Sequence, residues 1–328
     1  MTALPLSIYL TKFRIMQEKK NKRLIISFIG LTLLCICFYF FGNTNNQIEV
    51  DTSLFQLEEG ANVNRVVLKS STGDVVLDFN GTRWAVNNNY EADRQLIKLL
   101  FATLEKAEPK RPVANSQLNS VDSIISKNGV TVNLYENENL IQSFRAGGNV
   151  QKTEAYFQKS IDQPAYVMTI PGYRLYVSYI LELEENSWRD KRIFNFNWRN
   201  FKYLNMIVPV DPSQNFEVSF KDQFFGIKGI ESVDTTKLNN YLDAVSLLSA
   251  DQFISPGFSR LYDSLLKTKP SFRIEVKDIS DKTYSLDLFV PLRNDPNVLG
   301  KLDENQPALF NRNNILPIAR KRGFFVLK

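Results

Sequence analysis

The stretch LIISFIGLTLLCICFYFF, from Leu24 to Phe41, holds eighteen consecutive residues without a charge. An α-helix rises about 1.5 Å per residue, so a helix of this length covers roughly the hydrocarbon thickness of a bilayer and pairs its backbone groups internally. The sequence therefore predicts one transmembrane helix at 24–41, an anchor in contact with membrane lipid. It separates a short N-terminal tail from a large C-terminal part.

The charges beside this stretch predict its orientation. The residues directly after it carry no charge. Four basic residues come directly before it: Lys19, Lys20, Lys22 and Arg23. By the positive-inside rule the basic side stays in the cytoplasm. We therefore expect 1–23 to be a cytoplasmic tail, and the chain from about residue 42 to lie on the exterior or periplasmic side of the cytoplasmic (inner) membrane.

A cleaved signal peptide is the alternative, since it too has a basic region followed by an apolar run. The run here is longer than the usual apolar region of a signal peptide. It also ends in the bulky residues Phe38, Tyr39, Phe40 and Phe41, where small residues would precede a cleavage site. Aromatic residues suit the membrane interface instead. The pattern favours an uncleaved, single-pass anchor.

The net charge of +5 belongs to the tail. Six of the 40 Lys and Arg residues and one of the 35 Asp and Glu residues precede Phe41, so the remainder of the chain carries equal numbers of both signs. A nucleic-acid-binding surface would show a basic excess there. We therefore expect no nucleic-acid partner.

The chain contains no histidine, and both of its cysteines, Cys35 and Cys37, lie inside the predicted span. This excludes Ser-His-Asp and Cys-His catalysis in the exterior part, and zinc sites built from His or Cys. The sequence has no glycine-rich nucleotide-binding motif and no calcium-loop motif. It therefore predicts a protein that is not an enzyme, with no catalytic, cofactor-binding or metal site.

Carboxylate chemistry is the enzymatic alternative that the composition leaves open. Two carboxylates at a fixed separation can hydrolyse a glycoside. Acidic residues cluster at Glu182, Glu184 and Glu185, and again at Asp303 and Glu304. Solvated surface charge is the simpler interpretation of both clusters. A polysaccharide-binding or carboxylate-dependent glycan-processing protein of the cell envelope is the alternative function.

Residues 42–175 show the periods of a sheet and a helix. A hairpin signal at Asn80-Gly81 separates alternating runs, and apolar residues at helical spacing from Leu96 to Leu104 predict an amphipathic helix. We interpret Gly147-Gly148 as a tight turn or bulge rather than as an anion cradle. The predicted strands lie at 63–68, 75–79, 82–86, 130–135, 140–144, 155–157 and 165–170.

Residues 201–328 repeat this order. A helix capped by Asp234, with its apolar stripe from Leu238 to Leu248, follows three strands and precedes a hairpin. The predicted strands lie at 204–208, 215–220, 224–228, 272–276 and 284–290, with the last ones near 314–318 and 324–327. The predicted fold class is α+β: one N-terminal transmembrane helix followed by two repeated units of antiparallel sheet, each packed with a helix.

The segment 176–200 connects the two units and is expected to pack as a helix and turn. It contains Trp188, Arg189, Trp198 and Arg199, residue types that dominate interface hot spots. These four residues are a candidate partner surface. A core between the two units is the other interpretation, and the one that we favour.

Short motifs follow one another along the exterior part. They are Val-rich opening strands with a Thr-Gly turn, Arg83-Trp84-Ala85-Val86, Ala92-Asp93 at a helix start, Gly147-Gly148 followed by Tyr156, Ala165-Tyr166-Val167, and Trp188-Arg189-Asp190-Lys191. Together they resemble the bacterial "domain of unknown function 4340" family, over nearly the whole exterior part.

Members of that family are membrane-anchored exterior proteins, often encoded beside ABC transporters of the gliding-motility auxiliary type. The resemblance carries over no catalytic residues. It implies a non-enzymatic accessory or scaffold protein that is associated with an ABC-transporter or cell-envelope complex. It further implies a protein partner in the membrane complex and no cofactor, and it leaves the oligomeric state open.

Overall fold

The computed structural model of the protein describes residues 6–42, 50–161, 163–194, 196–197, 199–221 and 224–327. The chain divides into two compact units, Met1–Val50 and Asp51–Lys328. Helices and two antiparallel sheets are present, so the predicted α+β class is confirmed.

The first unit contains one long helix, α1, Leu6–Gly42. Its stretch Lys19–Tyr39 is long and apolar enough to cross a membrane, and the side chains of this stretch are exposed. The predicted span from Leu24 to Phe41 lies inside α1, but the helix begins well before it. The tail is helical because it has no glycine or proline after Pro5. The four basic residues that precede the span therefore lie on the same helix.

The first sheet of the second unit has nine antiparallel strands among the residues that the structure describes. These are β1 Arg65–Ser70, β2 Gly73–Phe79, β3 Trp84–Val86, β4 Tyr90–Glu91, β5 Glu108–Pro112, β6 Val130–Glu136, β7 Asn139–Gly148, β8 Ala155–Gln158 and β9 Ala165–Thr169. Their order is β4-β3-β2-β1-β6-β7-β8-β9-β5, which puts β4 and β5 at the edges. The hairpins predicted from the alternating runs are confirmed, with β3 and β4 shorter than the other strands.

Helices cover both faces of this sheet. Helix α2, Arg94–Lys106, packs on the larger core, and α3, Leu118–Asn128, packs on a smaller cluster. Side chains of β8 alternate between the two faces, with Phe157 in the larger core and Tyr156 in the smaller cluster. Asp93 begins α2 as its N-cap, since its carboxylate accepts backbone N–H bonds of 2.7 and 3.1 Å.

The connecting segment is mostly helical at its start. A 3₁₀-helix, Val177–Glu182, comes before α4, Glu185–Trp188. Residues of both elements pack in the larger core of the first sheet. The predicted helix and turn are therefore confirmed for this part of the segment.

The second sheet has eight antiparallel strands in the described ranges. These are β10 Phe201–Ile207, β11 Phe216–Lys221, β12 Phe224–Ile227, β13 Gln252–Phe253, β14 Phe272–Asp278, β15 Thr283–Leu288, β16 Asn297–Leu302 and β17 Pro307–Asn311. Their order is β12-β11-β10-β14-β15-β16-β17-β13. Helix α5, Thr235–Ser246, packs on the larger core, and α6, Arg260–Leu265, packs on a second cluster.

The two sheets have the same strand order apart from β4, which has no counterpart strand in the second sheet as described. Asp93 and Asp234 are the N-caps of the corresponding helices α2 and α5. In each half, a segment later in the chain accepts a hydrogen bond from the backbone N–H of this N-cap residue. The N–H of Asp93 donates to the carbonyl of Trp188 over 2.7 Å, and the N–H of Asp234 donates to the carbonyl of Phe325 over 2.9 Å. The correspondence thus extends from strand order to single hydrogen bonds.

The predicted tight turn or bulge at Gly147-Gly148 is wrong. Both residues lie inside β7, where they pair with Tyr156 and Ala155 of β8. Close packing is the reason for a glycine here, because a Cβ added at Gly148 would lie 2.2 Å from the hydroxyl of Tyr176. Gly148 thus provides room for the ring of Tyr176, and the pair lies in a strand rather than in a turn.

The last two strands were also predicted in the wrong place. Residues 314–315 lie in α7, Arg312–Ile315, which continues into a turn, and residues 324–325 lie in a 3₁₀-helix, Arg322–Phe325. Val326 forms only an isolated bridge to Val233. Short apolar runs do not distinguish a strand from a buried helical turn. The final strands are β16 and β17, which lie earlier in the chain.

Candidate functional site

The segment 188–193 joins the two sheets through backbone hydrogen bonds on both sides. On the side of the first sheet, the N–H of Asp190 donates to the carbonyl of Glu91 over 2.7 Å. On the side of the second, the N–H of Ile193 donates to the carbonyl of Leu248 over 3.0 Å. One extended segment therefore contacts both halves, and we call it the junction segment.

Trp188 anchors the junction segment in the first half. Its side chain is fully buried in the larger core of the first sheet. The indole Nε1–H donates to the carbonyl of Leu183 over 3.2 Å. A buried indole with its one donor satisfied contributes packing and has no polar group left for a ligand.

The side chain of Arg189 lies between the two halves, and only 6% of the residue's surface is exposed. Its guanidinium lies 3.5 Å from the ring centroid of Tyr90 on one side and 3.9 Å from that of Phe253 on the other. Its Nη1 also donates to Asn186 Oδ1 and to Gln306 Oε1, each over 3.2 Å. A planar guanidinium can stack on two rings and donate from its edge at the same time. Arg189 therefore links β4 of the first sheet to β13 of the second.

The structure separates the four residues of the candidate partner surface. Trp188 and Arg189 point into the protein, so a partner cannot reach their side chains in this conformation. Trp188 lies in the core of the first half, and Arg189 lies between a ring of the first half and a ring of the second. Arg199 is exposed, and its backbone N–H donates to Asn197 Oδ1 over 2.8 Å. Trp198 lies outside the described residues.

A cleft of about 450 Å³ opens beside the junction segment. On one wall Arg83 pairs with Glu91 over 2.8 Å. Arg192 makes a forked contact with the carboxylate of Asp190, in which Nε lies 2.9 Å from Oδ2. This hydrogen bond holds the pKa of Arg192 above its ordinary value. The charges of this wall are thus paired with one another.

The opposite wall of the cleft is part of the second half. Asp278 accepts backbone N–H bonds of 2.9 Å from Ser280 and Lys282, which closes the turn after β14. The ammonium of Lys282 lies 4.8 Å from the ring centroid of Tyr284. These polar groups hold the turn and its strand together.

The carboxylate cluster at 182–185 lines a second cavity, of about 180 Å³. Glu182 accepts hydrogen bonds from the hydroxyl of Tyr176 and, over 2.5 Å, from Lys152 Nζ. Glu185 accepts a hydrogen bond of 2.8 Å from Asn87 Nδ2. Two of the three carboxylates are therefore bound to neighbouring side chains of the same chain.

Tyr176 is the centre of this arrangement. Burial and the hydrogen bond to Glu182 raise the pKa of its hydroxyl. The hydroxyl therefore stays protonated and donates its hydrogen bond to the carboxylate across the physiological range. Its ring packs against Gly148 at the end of β7. The cluster thereby fastens the connecting segment to the first sheet.

The other acidic cluster also serves local structure. Asp303 accepts hydrogen bonds from the hydroxyl of Ser285 over 2.5 Å and from its backbone N–H over 3.1 Å. The side chain of Glu304 is not among those described. Within the described residues, no three Asp, Glu, His or Cys side chains are grouped as metal ligands.

Sequence reasoning missed the partners of Arg189. Tyr90 and Phe253 lie in two-residue edge strands, and Gln306 comes directly before β17. These positions are far apart in the chain, and two-residue strands give no periodic signal. The only usable signal was the local density of Trp and Arg in the segment 188–199.

The geometry defines a two-sheet α+β protein whose halves are joined by a buried arginine, in a chain with an N-terminal helix that is long and apolar enough to cross a membrane. The chain belongs to the family described as Domain of unknown function (DUF4340), whose model matches residues 84–270, more than half of the sequence. The match runs from β3 to the loop before β14 and so includes the junction segment. Neither a curated protein nor a solved structure matches the chain.

Proposed function

We propose that the protein is a single-pass, membrane-anchored accessory or scaffold protein without catalytic activity. Its two-sheet body lies on the exterior or periplasmic side of the cytoplasmic membrane and binds a protein partner of a membrane complex. The observation that carries the proposal is the apolar helix at Lys19–Tyr39, which begins in a basic cluster and precedes a large body of a different composition.

Polar side chains in the two cavities are engaged in contacts within the chain, which supports a scaffold rather than an enzyme. Several ionisable side chains of the two cavities, among them Glu182, Asp190 and Asp278, are bound to neighbouring side chains or backbone. A catalytic acid or base needs a group that can reach a substrate in a chosen protonation state. The arrangement instead favours a body that keeps its two halves in a fixed relation through Arg189.

We further propose that the two halves are copies of one structural unit. The matching strand orders and the matching bonds to Trp188 and Phe325 support this. The family resemblance favours an ABC-transporter or cell-envelope complex as the assembly that the body joins. In this proposal the helix holds the body at the membrane, where an integral membrane partner is close.

Labelling of single cysteines tests the topology. Both natural cysteines, Cys35 and Cys37, are first changed to alanine, and one cysteine is then placed at Lys20 or at the exposed Lys267. We expect a membrane-impermeant maleimide to label K267C in intact spheroplasts and K20C only after lysis. Labelling of K20C alone in intact spheroplasts would reverse the proposed orientation.

Co-purification tests the partner. The tagged full-length chain is extracted from its native membrane in mild detergent, and retained proteins are identified by mass spectrometry. We expect a membrane protein in near-stoichiometric amount. Recovery of the chain alone, with binding of the purified chain to cell-envelope polysaccharide, would replace this proposal with the glycan-binding alternative.

A further inference from the structure

An open groove lies between β12 and α5 in the second half. It has a volume of about 410 Å³ and is lined by Phe220, Phe224, Phe225 and Leu242, with Thr235, Asn239 and Asp243 at its polar side. Phe224 is 72% exposed and Phe220 is 48% exposed. Two large aromatic side chains on one strand pair are thus left facing solvent beside an apolar opening.

The first half shows what fills this position. Phe79 and Trp84 are opposite each other in β2 and β3, as Phe220 and Phe225 are in β11 and β12. The ring of Phe101 from α2 packs against Trp84, with the centroids 5.4 Å apart. In the second half, Leu242 takes the place of Phe101, counted from the N-caps of the two helices. The groove therefore lies where the second half lacks a ring equivalent to that of Phe101 in the first half.

The edge of the second sheet differs in the same region. In the first sheet, β4 pairs with β3 through Glu91 opposite Ala85 and Tyr90 opposite Val86. The described part of the second sheet ends with β12, with no such strand beside it. An extended segment of another protein can add to an edge strand through its backbone and place a side chain in a pocket.

The negative charge of Asp243 at the groove indicates which kind of extended segment would bind there. Asp243 is the charged residue among the described residues that line it, and its side chain is exposed. A carboxylate at the rim favours a Lys or Arg on the incoming segment. Aromatic and basic residues together are also what interface hot spots contain.

We propose that this groove is the partner site of the protein, and that it receives an aromatic side chain from an extended segment of a partner protein, with a Lys or Arg beside that side chain to meet Asp243. The proposal rests on the proposed function, because it assigns the surface by which the accessory protein binds its partner. Leu242 and Phe225 form the floor of the site, and Phe220 and Phe224 form its walls.

Photo-crosslinking in the native membrane tests the groove. The photoreactive residue p-benzoylphenylalanine replaces Phe224 in the full-length chain, and the adducts are identified by mass spectrometry. We expect one protein adduct whose crosslinked peptide contains an aromatic residue next to Lys or Arg. An adduct with lipid in place of protein would assign these phenylalanines to the membrane surface and overturn the proposal.

A variant that fills the groove from inside makes the test specific. Leu242→Phe restores the ring that Phe101 supplies in the first half, and we expect it to lower the adduct on the order of tenfold or more, the effect of losing a hot-spot anchor. Phe101→Leu makes the reverse change at the matched position, and the adduct should persist. Asn239→Trp blocks the groove from the exposed side, so the conclusion does not depend on how Leu242→Phe folds. An adduct that both blocking variants leave unchanged overturns the proposal.

Co-purification of the same variants distinguishes failure of the groove as the partner site from failure of the proposed accessory role. If the partner is retained through Leu242→Phe and Asn239→Trp, the groove is not the site and the accessory role survives. If the unaltered chain recovers no partner and gives no adduct, the accessory role fails together with the site. Loss of the partner in both variants, with retention in Phe101→Leu, is the expected result.

Discussion

Arg189 donates a hydrogen bond from Nη1 to Oε1 of Gln306 over 3.2 Å, although 117 positions separate the two residues. Gln306 is fixed in turn, because its Nε2 donates to the carbonyls of Ile254 and Pro307 over 3.1 Å each. The side chain of Arg189 is thus hydrogen-bonded to a residue that is itself held by backbone carbonyls of the second half. Arg189 and the two rings beside it therefore add side-chain contacts to the backbone hydrogen bonds by which the junction segment joins the halves.

Arg189→Lys should destabilise the protein although it keeps the charge. An ammonium cannot stack on Tyr90 and Phe253 together, and lysine lacks the Nη1 donor that reaches Asn186 and Gln306. We expect a loss of about 2 kcal/mol in the free energy of unfolding, measured by urea unfolding of the full chain in detergent. The exposed Arg293 gives the matched control, since Arg293→Lys should stay within about 0.5 kcal/mol. Equal effects of the two changes would contradict the structural role of Arg189.

Gly148→Ala should disturb the contact with Tyr176. The added Cβ would lie 2.2 Å from the hydroxyl and 2.3 Å from Cε2 of that ring, so the ring, which is hydrogen-bonded to Glu182, must shift. Overpacking of this kind costs about 1–3 kcal/mol, which thermal unfolding would show as a lower midpoint. Gly147→Ala is the neighbouring control, because its nearest contacts are an ordinary 3.6 Å. A destabilisation by Gly147→Ala as large as that by Gly148→Ala would refute the steric explanation.

Tyr262 should make stability depend on alkaline pH. Burial and the hydrogen bond of 2.6 Å to Asp295 Oδ2 raise the pKa of Tyr262 to about 12, whereas an unfolded tyrosine titrates near pH 10. Below about pH 10 both states keep the proton. As the pH rises from about 10 to about 12, the unfolded state loses the proton first, so the free energy of unfolding falls.

Urea unfolding of the full chain between about pH 8 and about pH 11 measures this dependence. Tyr262→Phe should flatten the fall at the alkaline end, whereas Tyr179→Phe, at an exposed position, should leave the slope as it was. A slope that Tyr262→Phe does not change would show that the hydroxyl ionises alike in the folded and unfolded states.

Local signals in the sequence were enough for much of the fold. The uncharged run after Arg23 predicted the apolar helix, and the helical spacing from Leu96 to Leu104 predicted α2. Asn80-Gly81 marked the turn between β2 and β3, where Gly81 has a φ of 90°. These features depend on neighbours in the chain, so a single sequence reveals them.

Features that depend on distant residues could not be predicted in the same way. The burial of Arg189 requires Phe253 and Gln306, and nothing near Arg189 in the sequence indicates either. The reason for glycine at position 148 was missed because the ring that packs on it belongs to Tyr176, which comes later in the chain. The groove at Phe224 emerges only when the two halves are compared at corresponding positions.

Trp188 and Phe325 offer the sharpest test of the correspondence between the halves. Each carbonyl accepts the N–H of a helix-capping aspartate, and each side chain is fully buried in the larger core of its own sheet. If the two segments play the same part, Trp188→Ala and Phe325→Ala should destabilise similarly, each by about 3–5 kcal/mol, in thermal or urea unfolding of the full chain. Phe324, the partly exposed neighbour of Phe325, is the control, and Phe324→Ala should cost about 1 kcal/mol or less. A large loss for Trp188→Ala with a small one for Phe325→Ala would mean that the C-terminal segment does not close the second half as the junction segment closes the first.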